Sequence, residues 1–123
     1  MTIDFRVMLL GNGVPIPTPE RFGPCTSVEA GDQKFLIDAG RGATKYGKDV
    51  DLLVHEVAMA RPELMKDASI QRIVGHHTSP YDCGRVFAQT RPKLAAFTHV
   101  VQLASPTVPP PTLDELMAEV RAT

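Results

Sequence analysis

The sequence of 123 residues contains no tryptophan, and aromatic residues make up only 6 % of it. It also lacks an apolar run of the ~18 residues that a membrane span requires, so we predict no membrane association. The opening, MTIDFRVMLL, has no basic segment and no small-residue cleavage site, which predicts no secretory signal. Two cysteines without C-x-x-C spacing argue against a disulfide scaffold and favour a reduced, cytoplasmic protein.

Neither sign of charge dominates the chain. Thirteen Lys and Arg face fourteen Asp and Glu, which gives a net charge of -1. Because nucleic-acid binders usually carry a basic excess or a basic stripe, this balance argues against a nucleic-acid partner. A local basic patch around Arg21, Arg41, Lys45 and Lys48 keeps a nucleic-acid partner as an alternative.

Five strands are predicted from short apolar or alternating runs that end at turn residues. Gly31-Asp32 lies between two of these runs and predicts a hairpin. VPIPTPERFGP contains four prolines, which predicts an extended loop because proline cannot donate to a strand ladder. The predicted strands are 4–10, 26–30, 34–37, 51–57 and 94–98.

Two helix starts carry capping signals. Ser79 can cap a helix that has Pro80 in its first turn and runs to about Thr90. Thr112 and Glu115 form a capping box that opens a final helix. A short helix is also expected over 62–67. The alternation of strands and helices predicts an α/β fold in a single domain, with an N-terminal block 1–45 and a C-terminal block 46–123.

Four polar positions follow predicted strands or precede a helix, where a rigid element can fix a functional side chain. His99 ends the run KLAAFTH, His77 precedes the helix that begins near Ser79, and Glu56 follows His55 in DLLVHEV. Ordinary alternatives stay open for each: a hydrogen-bonded strand terminus, an exposed loop histidine, or a polar strand end facing water. Asp38, after FLI, could equally cap its own turn.

Two blocks carry a resemblance to a known family. The first is LLGNGVPIPTPERFGPCTSVEAGDQKFLIDAGRGAT, and the second is DLLVHEV followed by GHHTSPYDCGRVFAQTRPKLAAFTHVV. Together they resemble ribonuclease Z-like proteins of the metallo-β-lactamase superfamily, which are dinuclear metal hydrolases. The resemblance implies a four-layer αββα sandwich, zinc, and hydrolysis of phosphodiesters or sulfate esters. The principal H-x-H-x-D-H metal motif is absent, and GRGATK runs directly into YGKDVDLLVHEV. We therefore predict a partial sandwich with an internal deletion.

The resemblance also assigns roles to residues. It implies that His77 is the proton donor near the scissile bond and that Glu56 and His55 support it by hydrogen bonding. This predicts a contact between Glu56 and His77. His99 matches a late metal ligand, and Asp38 matches an aspartate beside the metal histidines. Arg21 and Arg41 are predicted to contact substrate.

Three functional hypotheses follow from these residues. The first is a metal-dependent hydrolase of small-molecule esters that is inactive as this chain alone, because too few ligands remain for a zinc pair. The second is a non-catalytic binding or oligomerising module derived from the same fold. The third is that the chain is part of a longer enzyme. Because a missing middle would uncover strand edges and apolar faces, we expect a homo-oligomer.

Overall fold

The computed structural model describes residues 4–12, 23–39 and 43–123. These residues contain one five-stranded sheet with the strands in sequence order. The first three strands run antiparallel, whereas the third, fourth and fifth are parallel neighbours. The strands are β1 (Phe5–Gly11), β2 (Cys25–Ala30), β3 (Gln33–Ile37), β4 (Leu52–Met59) and β5 (Leu94–Gln102). All five predicted strands are confirmed, with β4 and β5 longer than expected.

The described residues also form four helices and one 3₁₀ turn, of which the last helix follows β5. The side chain of Ser79 accepts a hydrogen bond from the Asp82 N–H, and Thr112 and Glu115 form the complete capping box. Both predicted helix starts are therefore confirmed. The helices over 43–46 and 68–76 were not predicted from the sequence. The 3₁₀ turn matches the short helix expected over 62–67. The elements are α1 (Ala43–Tyr46), α2 (Ala68–His76), α3 (Pro80–Thr90), α4 (Leu113–Arg121) and the turn Pro62–Lys66.

One face of the sheet is covered by helices and forms the core. Leu36 of β3 and Leu53 of β4 lie in a buried cluster that also holds Cys25. Val57, four residues after Leu53 on β4, packs with Cys83 of α3 and with residues of α4. The core therefore lies between this face and the layer formed by α3 and α4.

The opposite face carries a second set of apolar side chains. Because strand neighbours in register share a face, the pairings define rows that cross all five strands. Phe35 and Ile37 alternate with the buried Leu36, so they and their partners point away from the core. One row contains Val7, Val28, Phe35, Leu52 and Leu94; the next contains Leu9, Thr26, Ile37, Val54 and Ala96. We call this surface the open face.

Among the described residues, no helix combines the length and the apolar character that crossing a bilayer requires. The mixed α/β class predicted from the sequence is confirmed by the element order. Two internal segments lie outside the described ranges. They are residues 13–22, in the proline-rich loop, and the glycine-rich segment 40–42.

Candidate functional site

The Glu56 carboxylate is the centre of a compact polar cluster beside β4. It lies 3.0 Å from Nδ1 of His77, 3.0 Å from the Thr78 backbone nitrogen and 2.5 Å from the Thr78 hydroxyl. The contact expected between Glu56 and His77 is therefore present. Since a carboxylate only accepts hydrogen bonds when ionised, all three neighbours act as donors.

Local chain geometry fixes the segment that carries His77. Helix α2 ends at His76, and His77 takes an extended conformation as its C-cap. The Ala58 backbone N–H then donates to the Thr78 carbonyl at 3.0 Å, which ties this segment to β4. Ser79 follows at once as the N-cap of α3. The segment is thus held by a helix on each side and by β4 along its length.

The hydrogen bond to Glu56 determines how the His77 ring presents itself. Because the carboxylate accepts, Nδ1 must carry a hydrogen, and Nε2 is left to face away from Glu56. The side chains of Glu56 and His77 are 13 % and 23 % exposed. An imidazole that is oriented by a carboxylate and is partly exposed is suited to proton transfer.

His99 lies next to this cluster through an irregularity in β5. The register between β4 and β5 shifts after Glu56, and His99 is the additional residue, with a positive φ of 46°. A β-bulge of this kind re-aims a side chain. The ring centroids of His77 and His99 are 5.2 Å apart with a tilt of 31°. The fold thus brings together two of the histidines singled out in the sequence.

His55 does not join the cluster. It alternates with Glu56 on β4 and therefore points to the helix-covered face, where it is fully buried. Its Nδ1 lies 2.7 Å from the Glu56 carbonyl oxygen and 3.8 Å from Sγ of Cys83. Its Nε2 has no partner within the described residues. The sequence-based expectation that His55 hydrogen-bonds the catalytic histidine does not match this placement, because adjacent strand residues face opposite ways.

Asp38 lies at the end of β3 with a positive φ of 57°. Burial and the nearby Asp38 charge raise the pKa of Cys25 to about 11, which places this carboxylate beside the Cys25 thiol. β3 and β5 are separated by β4, so at about 4.8 Å per strand Asp38 and His99 are roughly 10 Å apart or more. The structure does not bring these two predicted ligands together.

The described residues do not fit a zinc site. A zinc hydrolase needs at least three protein ligands. Within residues 4–12, 23–39 and 43–123, no group of three or more His, Cys, Asp or Glu side chains could hold a metal ion. Both cysteines in these ranges are buried, and burial followed by the Glu56 charge raises the pKa of Cys83 to about 12. Such a thiol is not a ready thiolate ligand.

Two predicted substrate contacts, Arg21 and Arg41, lie outside the described residues and stay predictions. Sequence reasoning missed Thr78, which gives Glu56 both its backbone N–H and its hydroxyl. The sequence did contain a pattern that could have identified Thr78, because a threonine directly after a candidate histidine can reach the same carboxylate. The site residues that the fold assembles are Glu56, His77, Thr78 and His99.

Comparison with solved structures defines the fold class. The metallo-β-lactamase fold protein YhfI from Bacillus subtilis superposes on 96 % of this chain and 43 % of its own, with a TM-score of 0.63 and 14 % sequence identity. The described sheet and helices therefore have part of the metallo-β-lactamase fold, as predicted from the sequence.

Sequence comparison adds a narrower relationship. The chain is 61 % identical over 37 residues to ribonuclease Z of Mycobacterium tuberculosis strain H37Rv, which is 30 % of this chain and 14 % of that protein. It is 44 % identical over 53 residues to ribonuclease Z of Mycolicibacterium gilvum, covering 43 % and 18 % of the two chains. No protein-family model matches the chain. The chain is therefore similar to ribonuclease Z over short segments, and these segments span less than a fifth of the length of the ribonuclease Z relatives that it matches.

Proposed function

We propose that this chain carries the proton-transfer half of a metallo-β-lactamase-type hydrolase site for phosphodiesters or sulfate esters. The observation that supports this is the Glu56–His77–Thr78 cluster, which holds Nδ1 of one imidazole and leaves its Nε2 unbound by Glu56. Cleavage of a phosphodiester breaks the bond between phosphorus and the leaving oxygen. That oxygen leaves more easily if it receives a proton, which His77 would supply from Nε2 in its doubly protonated form, leaving the neutral ring with its Nδ1 hydrogen on Glu56.

The same geometry supports the proposal that this chain has little or no hydrolase activity alone. Bound zinc would supply an activated water as the nucleophile, and the resemblance implies it. The described donors do not build a site for it, since the cluster offers His77 and His99 but no third ligand. A proton donor without a nucleophile does not turn over an ester.

The substrate class follows from charge and from the relatives. The relatives are named ribonuclease Z, and RNA is a phosphodiester. The net charge of -1 supports a small ester more than RNA, because an RNA partner is usually bound by a basic surface.

We also propose that the protein is cytoplasmic, since its two described cysteines are unpaired.

The second candidate function is a non-catalytic, self-associating module. The observation that favours it is the open face, where large apolar side chains of a small domain remain exposed. We propose that the protein is a homo-oligomer in either case.

A hydrolysis assay tests the proposal that the chain is inactive alone. A chromogenic phosphodiester and an aryl sulfate are incubated with the purified chain and added zinc or manganese. We expect no turnover above buffer, which matches the site without a third ligand. Metal-dependent turnover that His77→Ala abolishes and the neighbouring His76→Ala retains would instead show an active enzyme and contradict the inactivity proposal.

Nitrogen-15 NMR tests the role of Glu56 without any activity. The spectrum should show His77 with hydrogen on Nδ1, and Glu56→Ala should remove that preference because the accepting carboxylate is gone. The exposed His76 serves as an internal control that stays unchanged. A His77 tautomer that is the same in both proteins would contradict the proton-transfer assignment.

A further inference from the structure

We propose that the open face of the sheet is the surface through which two copies of this chain associate, sheet against sheet. This inference specifies the surface for the self-association proposed above and does not depend on catalysis. It rests on the composition of the face, its exposure and its lack of charge.

The face is continuous and apolar across the full width of the sheet. The row that begins at Val7 is apolar on every strand, and in the adjacent row Thr26 is the single hydroxyl. Phe5 extends the surface on β1, where it pairs with Ala30. A half-buried antiparallel sheet with one face in water would instead alternate apolar and polar residues. The pattern is that of a sheet with both faces meant for burial.

Exposure is greatest at the two edges of this face. Phe5, Val7 and Leu9 on β1 are 62 %, 55 % and 75 % exposed, and Leu94 on β5 is 62 % exposed. Removing such side chains from water favours association. Soluble monomers seldom leave contiguous apolar patches beyond a few hundred Å² uncovered.

The dimensions of the face suit a pair of identical molecules. Five strands at about 4.8 Å and some six residues at about 3.3 Å give a face of roughly 500 Å² in plan. With the relief of the side chains, this approaches the ~800 Å² per partner of an ordinary stable interface. Two sheets packed face to face lie about 10 Å apart, with their strands near -30° to each other.

Charge explains why a second copy can be the occupant. A two-fold axis places each residue of the face against the same surface, so any net charge would meet its like. The rows contain no lysine and no arginine. The two rows contain no carboxylate either; Glu56, in the middle of β4 beside the second row, pairs with Thr98 and is already bonded to His77 and Thr78. By contrast Arg6, Glu29 and Lys34 point to the other side.

Light scattering coupled to size exclusion tests the surface. The wild-type protein should be a dimer across micromolar concentrations. Leu9→Lys and Leu94→Lys should each raise the dissociation constant by about tenfold or more, since each buries an unpaired charge in the interface. Leu113→Lys is the matched control, because Leu113 is 59 % exposed on α4, away from the sheet. Circular dichroism and a cooperative melt establish that each variant folds, and Val7→Thr offers a near-isosteric change if a lysine variant does not.

Two outcomes would overturn the inference, and they differ. A wild-type protein that is monomeric throughout would overturn the dimer and the homo-oligomer proposal together. A dimer that tolerates Leu9→Lys, Leu94→Lys and Val7→Thr would retain self-association but move it to another surface. The hydrolysis assay is independent of both outcomes.

Discussion

The two faces of the sheet are built from alternate residues of the same strands, yet their most extreme residues differ widely in burial. Leu53 and Val57 on the covered face have no exposed surface, whereas Leu94, which lies beside β4 on the open face, is 62 % exposed. Leu53, Val57 and Leu94 are all apolar, so the type of side chain does not account for this difference. What separates them is the position of α3, which lies in the connection between β4 and β5, and of α4, which follows β5 and packs against α3.

The largest expected difference between the faces concerns side-chain truncation. Leu53→Ala should lower the free energy of unfolding by about 2–5 kcal/mol, because it leaves a cavity in a closed core. Leu94→Ala, the matched change on the open face, should cost no more than about 0.5 kcal/mol at protein concentrations where the chain is monomeric. Urea denaturation of the two variants measures both values.

Concentration sharpens this comparison further. If the open face is a dimer interface, the cost of Leu94→Ala should grow as protein concentration rises, since association then stabilises the wild type more than the variant. The cost of Leu53→Ala should not follow concentration in this way. Equal costs for the two variants at low concentration would show that the open face is covered by some other part of the molecule.

A second prediction concerns the contact between the two covering helices. A Cβ at Gly84 would lie 2.0 Å from the Thr123 hydroxyl and 2.2 Å from the Val120 carbonyl oxygen, which is backbone. Gly84→Ala should therefore destabilise by about 1–3 kcal/mol, as overpacking does. Gly75→Ala is the control, since nothing lies within 4 Å of that position in α2.

Gly75→Ala should instead raise the free energy of unfolding by up to about 1 kcal/mol, because glycine is a poor helix former. Thermal melts of the two variants should therefore move in opposite directions. A Gly84→Ala protein as stable as the wild type would mean that α3 and α4 can separate without loss, which would weaken the distinction between the faces.

Most of the fold could be predicted from the sequence because its signals are local. Apolar runs and the caps at Ser79 and Thr112 mark the elements directly. Helix α2 was missed although Ile70, Ile73 and Val74 have the i, i+3, i+4 spacing of a helix. The direct pairing of β3 with β4 could not be predicted either. That pairing depends on long-range contacts, which no local pattern encodes.

The third prediction concerns the attachment of α4 to the end of β4. Arg61 forms two hydrogen bonds of 3.0 Å to the Glu115 carboxylate and also donates to the Pro109 carbonyl. The Thr112 backbone N–H, followed by Arg61, lowers the pKa of Glu115 to about 2 from 4.5. Because the folded pKa is the lower one, this contribution is fully present above pH 4.5 and is lost as pH falls toward 2.

Unfolding free energies measured over that range provide the test. The wild type should lose stability on acidification more steeply than Glu115→Gln, which has no carboxylate to protonate. Glu119→Gln, on the same helix, should keep the wild-type slope. Identical slopes for the wild type and Glu115→Gln would mean that the Arg61 contact does not hold the covering helix in place.

The candidate site was predictable only in part, for a geometric reason. The adjacency of His77 to Glu56 could be anticipated from the resemblance, and the opposite orientations of His55 and Glu56 follow from strand alternation alone. The nearness of His99 to His77 depends on a bulge in β5. A bulge depends on how β5 pairs with the neighbouring strand, so it could not be predicted from the sequence of β5 alone.

The smallest expected effect is chemical and leaves stability unchanged. Cys83 and Cys25 both lie on the covered face, and burial, with a nearby carboxylate in each case, raises their pKa to about 12 and about 11. At neutral pH both are protonated and enclosed, so neither should be alkylated in the folded protein. Mass spectrometry after iodoacetamide should show labelling of both only in denaturant.

A thiol placed on the open face should behave in the opposite way. Leu9→Cys exchanges a residue that is 75 % exposed, so the introduced thiol should be labelled rapidly in dilute folded protein. If two copies pack their open faces together, its labelling should slow as protein concentration rises, because the dimer encloses it. Leu113→Cys, on α4, should be labelled at the same rate at every concentration. Rapid native labelling of Cys83 would contradict the closed covered face, and a concentration-independent rate for Leu9→Cys would contradict association through the open one.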